Sequence, residues 1–406
     1  MNIRKISLVA TIFATAIFTS CSDDSDDFND SVDFAQEFTD IDDSVVTEPA
    51  TYEFERDGNT TIDFSGQTTR LKQVNEIGAL MLSANPVPTQ DDFTNRFNQA
   101  VSFTDESLNG SKNVRSKTGS SVGLFQSNAA DSESIKEDFD SYLTNQIAVL
   151  SSTNEASVGV AGTYSDTPRY FNAQGLEYQQ AFYKGLIGAL AMDQSLNHYF
   201  NRLDDNFDGT LSYRTENDAE TLATDENYTT MEHHWDEAYG YVYGLDADED
   251  NLIQKYLNDI ANQVNFNDIA ENVFKAFKIG RAAIVAQEYE VRDEAVEVIR
   301  YQISKIPSAR AIYYLDDAKT IFEDETTDNR DAFHSLSEAY GFIYSLQFTY
   351  NPSTGEPYFA KAEVDAMIAV LEEGDGFYDL STDDIDDLIN QIVSAYDFTL
   401  EQALEQ

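Results

Sequence analysis

The sequence predicts an all-α protein, and three observations carry that prediction. Apolar residues recur at helical spacing through one stretch after another, no comparable series of alternating strands accompanies them, and seven prolines and 19 glycines in 406 residues leave room for long helices. Hydrophobic residues at 41% and aromatics at 12% are enough for a packed core. With 74 acidic residues against 25 basic ones, the formal net charge of -49 therefore belongs to the surface of a folded body. Such a surface repels phosphate backbones and anionic lipid, which excludes nucleic acid as a partner.

Residues 1–20 read as a lipoprotein signal peptide. Arg4 and Lys5 precede an apolar run from Ile6 to Phe18, then Thr19 and Ser20 stand before Cys21. A run of about 13 residues is too short to span a ~30 Å hydrocarbon core as a helix, so it is read as removed. Phe18-Thr19-Ser20-Cys21 resembles the lipobox of bacterial lipoproteins, which implies lipidation at Cys21 and membrane attachment through that lipid. Cys21 is the only cysteine, so no internal disulfide supports the fold. Residues 21–50 read as an acidic flexible tether. Its opening, Ser22-Asp23-Asp24-Ser25-Asp26-Asp27, is similar to the export signal of Bacteroidota-type lipoproteins, which implies an outer-membrane, cell-surface location; a plain solvated linker is the competing reading.

Residues 51–406 form the predicted helical domain. Tyr52-Glu53-Phe54 and Thr61-Ile62-Asp63-Phe64 alternate around Asp57-Gly58-Asn59, the pattern of a short hairpin or extended entry segment. From Thr68 the period becomes helical: Leu71, Val74, Ile77, Leu80 and Met81 share a face until Asn85-Pro86. Residues 104–130 read as a loop carrying the small basic cluster Lys112, Arg115 and Lys117. Helical patterns follow over 132–151, 173–202, 229–244, 249–262, 266–304, 308–324, 328–350, 358–373 and 382–404. Gly185, Gly188, Ala189 and Ala191 make the 173–202 helix one that another helix can approach closely, and a break near Arg292 is expected in the long 266–304 stretch.

The most informative feature is an internal repeat, approximately 173–245 and 266–350. His233-His234-Trp235-Asp236-Glu237-Ala238-Tyr239-Gly240-Tyr241-Val242-Tyr243 aligns without gaps to His334-Ser335-Leu336-Ser337-Glu338-Ala339-Tyr340-Gly341-Phe342-Ile343-Tyr344, and upstream Ala181-Phe182-Tyr183-Lys184-Gly185 matches Ala276-Phe277-Lys278-Ile279-Gly280. The expected architecture is two related helical bundles about a pseudo-two-fold axis. His233 and Glu237, like His334 and Glu338, are four residues apart and share a helix face. Convergence of both pairs at the axis would make a His/Glu cluster suited to iron or zinc, and His234 adds an i, i+3 pair with Glu237. The competing reading has each histidine hydrogen-bonded to its own glutamate in the core. Tyrosines and phenylalanines of 239–243 and 340–344 line either a haem-type pocket or the core.

His234-Trp235-Asp236-Glu237 in this repeat resembles the imelysin-like proteins, two-bundle lipoproteins linked to iron uptake and, in some members, to peptidase activity. Tyr52-Glu53-Phe54, Asp63-Phe64-Ser65-Gly66-Gln67-Thr68, His234 to Ala238 and Phe333-His334-Ser335-Leu336-Ser337-Glu338 more closely resemble a lipoprotein family known only as a domain of unknown function. The resemblance implies a non-catalytic surface lipoprotein that binds a metal, iron or haem-type ligand, with an outer-membrane uptake receptor as partner. The alternatives are a metal-dependent peptidase using His233, His234, Glu237, His334 and Glu338, or a structural or adhesive module.

Other motifs carry less. Gly119-Ser120-Ser121-Val122-Gly123 fits a nucleophile-elbow string without the strand that motif needs. No His-Glu-x-x-His occurs, so a conventional zinc protease is not supported. Asp204, Asn206 and Asp208 match the first half of a calcium loop, with Thr215 where a bidentate glutamate belongs, and Asp246, Asp248 and Asp250 repeat the spacing.

Overall fold

Helices build most of the body, as the spacing requires, in a computed structural model that describes residues 39, 41–42, 44–165, 168–205, 212–246 and 252–405. All of these lie in the unit Ala35–Gln406. The signal peptide, Cys21, Asn206 and Asp208 fall outside the described residues. Helices of eight residues or more are numbered in chain order below.

The chain is already packed before residue 51: Val46 is buried against Ile279, Ala283 and Val291, and Glu48 accepts an ion-pair contact of 2.5 Å from Lys278. The entry hairpin pairs β1 (Glu55–Arg56) with β2 (Asn59–Thr60), and its turn places Asp57 and Gly58 at φ 54° and 78°. Two successive left-handed residues are what a two-residue hairpin turn demands, and the Asp-Gly pair supplies them. Helix α1 (Ser65–Leu80) follows, burying Leu71, Val74 and Ile77, then α2 (Gln90–Phe97) and α3 (Ala129–Leu150).

A second hairpin, β3 (Gly162–Tyr164) against β4 (Arg169–Phe171), has no counterpart in the sequence reading. Helix α4 (Tyr178–Leu186) continues as wider π-helical turns over Ile187–Met192 and Ser195–Tyr199. Such turns release carbonyls from the helix, and one of them, Ala189 O, accepts from the Gly119 amide at 2.7 Å. Helix α5 (Thr230–Tyr243) is started by a capping box in which Thr229 Oγ1 accepts from the Glu232 amide and Glu232 Oε2 accepts from the Thr229 amide. Helix α6 (Leu252–Ile260) and α7 (Ile269–Ala286) lead to the longest element, α8 (Tyr289–Glu323).

Two expectations change here. The break in the 266–304 stretch lies at Gln287, not Arg292: Gln287 is left-handed (φ 61°) and ends α7, while Arg292 is buried inside α8. The 289–323 region is then one helix running through Pro307. Proline removes a backbone donor and normally kinks a helix. Here neighbouring carbonyls are taken up from the side, Ser304 O by the Tyr396 hydroxyl (3.1 Å) and Lys305 O by the Ser308 hydroxyl (2.9 Å).

Helix α9 (Phe333–Ser345), α10 (Lys361–Glu372) and α11 (Thr382–Val393) complete the body. Helix α8 packs on α7, α9 and α11, with Ile299, Ile303, Ile306, Ile312 and Leu315 fully buried. The small residues of α4 do what the sequence predicts. A side chain at Gly188 would stand 2.6 Å from Ser345 Cα, and one at Gly341 would stand 2.4 Å from Lys184 Cβ, so α4 and α9 touch almost backbone to backbone. That contact positions the site described next.

Candidate functional site

The repeated turns occupy two different environments. On α5, His233 Nε2 lies 3.8 Å from Glu237 Oε2, and its ring stacks on Tyr228 at 4.7 Å. Glu237 Oε1 accepts from Gln67 Nε2 and from the Tyr199 hydroxyl, each at 3.0 Å. His234 is buried and donates from Nδ1 to the Arg202 carbonyl (2.8 Å); burial pushes its pKa down to about 4, against that hydrogen bond and the field of Glu237. Beneath this turn Arg281, fully buried, binds Glu232 (3.0 Å) and Asp236 (3.1 Å). Burial pushes Asp236 up to about 6 even though Arg281 and the Tyr52 hydroxyl hold its charged form. Two buried atoms of the turn, His233 Nδ1 and Asp236 Oδ2, have no hydrogen-bond partner among the described residues; its other side-chain polar groups are engaged.

On α9 the arrangement is open. Glu338 Oε1 lies 3.0 Å from Lys184 Nζ on α4, the pairing that the Gly341 contact allows. Burial raises the Glu338 carboxyl, but Lys184, His334 and the Tyr314 hydroxyl together outweigh it and hold the group below its ordinary value. Lys184 also contacts the Tyr256 hydroxyl. His334 Nδ1 stands 2.9 Å from Glu177 Oε2 and 2.9 Å from Arg169 Nη1. One nitrogen faces an obligate acceptor and an obligate donor and serves one of them at a time.

Arg169, Lys184, His334 and Glu338 line a cavity of about 550 Å³, with Asn75 and Gly78 of α1 as one wall and Lys255 of α6 reaching in. A smaller cavity of about 170 Å³ shares Leu82, Arg169, Gln179 and Gln180 with it and extends the space toward Gln146 and Glu177. The extension contains unmet hydrogen-bonding capacity. Gln146 is 1% exposed and donates from Nε2 to the Met81 carbonyl (2.6 Å), which fixes its amide orientation, yet Oε1 accepts nothing among the described residues. The 5% exposed Glu177 leaves Oε1 in the same state, with Arg169 Nε no nearer than 3.9 Å. Leaving such a buried acceptor unmet costs roughly 1–3 kcal/mol, so native structures rarely do it without a reason.

The five residues His233, His234, Glu237, His334 and Glu338 are thus not brought together. The groove around His334 and Glu338 contains no member of the first turn, and none of the His, Cys, Asp and Glu side chains among the described residues form a group of three or more that could hold a metal ion. Each pair is consumed by its own neighbours. Asp204 of the calcium-like loop binds Arg292 at 2.9 Å, and Ser121 of the nucleophile-elbow string caps a short helical turn by accepting from the Leu124 amide. Tyr239, Tyr241 and Tyr243 are core residues packed on Tyr52, Tyr199 and Phe277.

Arg169, Lys184, Glu177 and Gln146 escaped the sequence reading of the site. The signal for Arg169 was present as Gly162-Thr163-Tyr164 and Arg169-Tyr170-Phe171 on either side of Ser165-Asp166-Thr167-Pro168, two short β-prone runs around turn residues. A family model described as "Domain of unknown function (DUF4856)" matches residues 49–399. The chain belongs to this family. No curated protein and no solved structure matches it. The matched segment contains both repeated turns and the whole groove.

Proposed function

We propose that this protein is a lipid-anchored binding protein whose groove takes a small organic anion that also carries hydroxyl or amine donors, such as a sugar acid or an amino acid. The observation that carries the reading is the chemistry of the groove. In a chain of net charge -49, Arg169, Lys184, Lys255 and His334 gather around two carboxylates, beside the unmet acceptors of Gln146 and Glu177. Cationic groups ask for an anion, and bare acceptors ask for N–H or O–H donors. A ligand with both answers both. A metal ion is the less suited guest, since Arg169 and Lys184 occupy the positions next to His334 and Glu338 and repel a cation.

The leader ending at Cys21 supports attachment to a membrane by lipid, and the acidic residues after it support display on the outer face of an outer membrane. Among the described residues no helix is long and apolar enough to cross a membrane. The packing of α4 on α9 and of α7 on α5 is the reciprocal pattern that two related bundles would give, and it supports the imelysin-like, pseudo-two-fold reading. An uptake receptor is the partner such a protein would serve.

The test is thermal unfolding of the full chain with galacturonate, glutamate, neutral galactose, zinc(II) or iron(III). An anion at a hundredfold excess over its Kd stabilises by about 2.7 kcal/mol, a clear rise in midpoint. The expected result is a rise with one of the anions and none with galactose, lost in Arg169→Gln. A flat response to both anions, or a rise with zinc or iron that disappears in His334→Ala, overturns the reading.

A further inference from the structure

The helix that carries His334 and Glu338 into the groove turns a different face to a second cavity. Tyr340 and Tyr344, also four residues apart, point away from that pair and line a space of about 410 Å³ together with Tyr142 and Tyr178. Its opposite wall comes from α10, which contributes Asp365 and Glu372, while α3 contributes Asp138.

The charges in this cavity do not balance. Three carboxylates line it against Lys361 alone, and Lys361 is already bound to Asp365 at 2.8 Å. The tyrosine hydroxyls act as donors to the carboxylates: Tyr344 to Asp138 Oδ2 and Tyr340 to Glu372 Oε1, each at 2.8 Å. A phenol that donates to a carboxylate has a more electron-rich ring, which strengthens attraction for a cation over its face. Burial pushes the Asp138 carboxyl up from its ordinary value, against the Tyr344 hydrogen bond and Lys361, with Asp365 and Glu372 adding smaller upward contributions.

We propose that this cavity is a second binding site, for a small organic ammonium ion, which the tyrosine rings enclose and the Asp138 and Glu372 carboxylates neutralise. A divalent metal fits less well, because it requires oxygens converging at roughly 2.0–2.6 Å, and the His, Cys, Asp and Glu side chains among the described residues form no group of three or more that could hold one. A soft, bulky cation needs no such convergence, and the enclosed volume exceeds what a bare metal ion fills. The site is independent of the proposed anion groove: the two cavities share no lining residue.

Calorimetric titration of the full chain with choline, tetramethylammonium and spermidine tests this, with galactose and calcium chloride as controls. The expected result is saturable one-to-one binding of at least one ammonium compound, weakened about tenfold or more by Glu372→Gln. Glu372 is exposed, so this variant is expected to fold; Asp365→Asn, likewise exposed, provides a second readout in the same direction. Arg169→Gln leaves ammonium binding unchanged, which separates this site from the groove. Binding by none of the three ammonium ions overturns the proposal. So does stronger binding of galactose or calcium, or ammonium binding that is indifferent to both carboxylate changes.

Discussion

The turns His233–Glu237 and His334–Glu338 share a histidine and a glutamate at the same spacing and end in opposite conditions. On α5, His234 and Asp236 face inward and are tied to Arg202 and Arg281, so the turn is a structural joint. On α9, Ser335 and Ser337 stand at those two places, and the weight of the turn falls on His334 and Glu338, which meet Lys184 and Arg169 at the edge of a groove. The difference teaches that a His-Glu pair at helical spacing fixes only a shared helix face. What approaches that face decides whether it becomes core or site.

Removing Arg281 should break the first turn most severely. Arg281→Ala leaves Asp236 buried without its counter-ion and Glu232 with Arg56 alone, and a loss of about 3–5 kcal/mol in denaturant unfolding is expected. A loss below about 1 kcal/mol would mean that this turn is not the rigid one. At the second turn, Lys184→Met should destabilise by roughly 2–3 kcal/mol, because Glu338 is left nearly buried and unpaired, and adding Glu338→Gln should recover most of it. Failure of the double variant to recover would show that Lys184 acts through Tyr256 instead.

Acid should act on the first turn as well. The pKa of His234 is depressed on folding from its ordinary 6.5 to about 4, so the stability it contributes is present above about pH 6.5 and is lost as pH falls toward 4. Asp236, raised to about 6, has the opposite sign: its contribution is complete below its ordinary pKa and fades as pH rises through 6. His234→Gln should therefore remove a loss on the order of 2 kcal/mol between pH 6.5 and 4 in unfolding midpoints. A slope left unchanged by His234→Gln would contradict the role of a buried, neutral imidazole in the first turn. The smallest effect belongs to Arg169→Gln. Its side chain is 40% exposed, so stability should fall by less than about 1 kcal/mol even though ligand binding is lost.

Most of the helical fold was legible because apolar spacing records which faces are buried, and the α4–α9 crossing was legible because only glycine and alanine permit it. A break in the 266–304 stretch was legible from its length, but its place at Gln287 was not, since apolar positions such as Ile284, Val291 and Ala295 continue on both sides of it and the left-handed residue is an ordinary glutamine. Nor was the continuity through Pro307, beside which the distant Tyr396 hydroxyl bonds the Ser304 carbonyl. His334 and Glu338 were visible through the repeat. Arg169 was not, because it reaches the groove only through the pairing of β4 with β3, and Lys184 looked like one more residue of an amphipathic helix until α9 was set against it.

Native mass spectrometry and metal analysis of the full chain, purified from its native source with and without Arg169→Gln, decide most directly between an anion and a metal in the groove. The account predicts a small anionic organic adduct on the wild-type chain, absent from the variant, and less than one equivalent of any transition metal. One iron or zinc per chain, retained in Arg169→Gln and lost in His334→Ala, would contradict it.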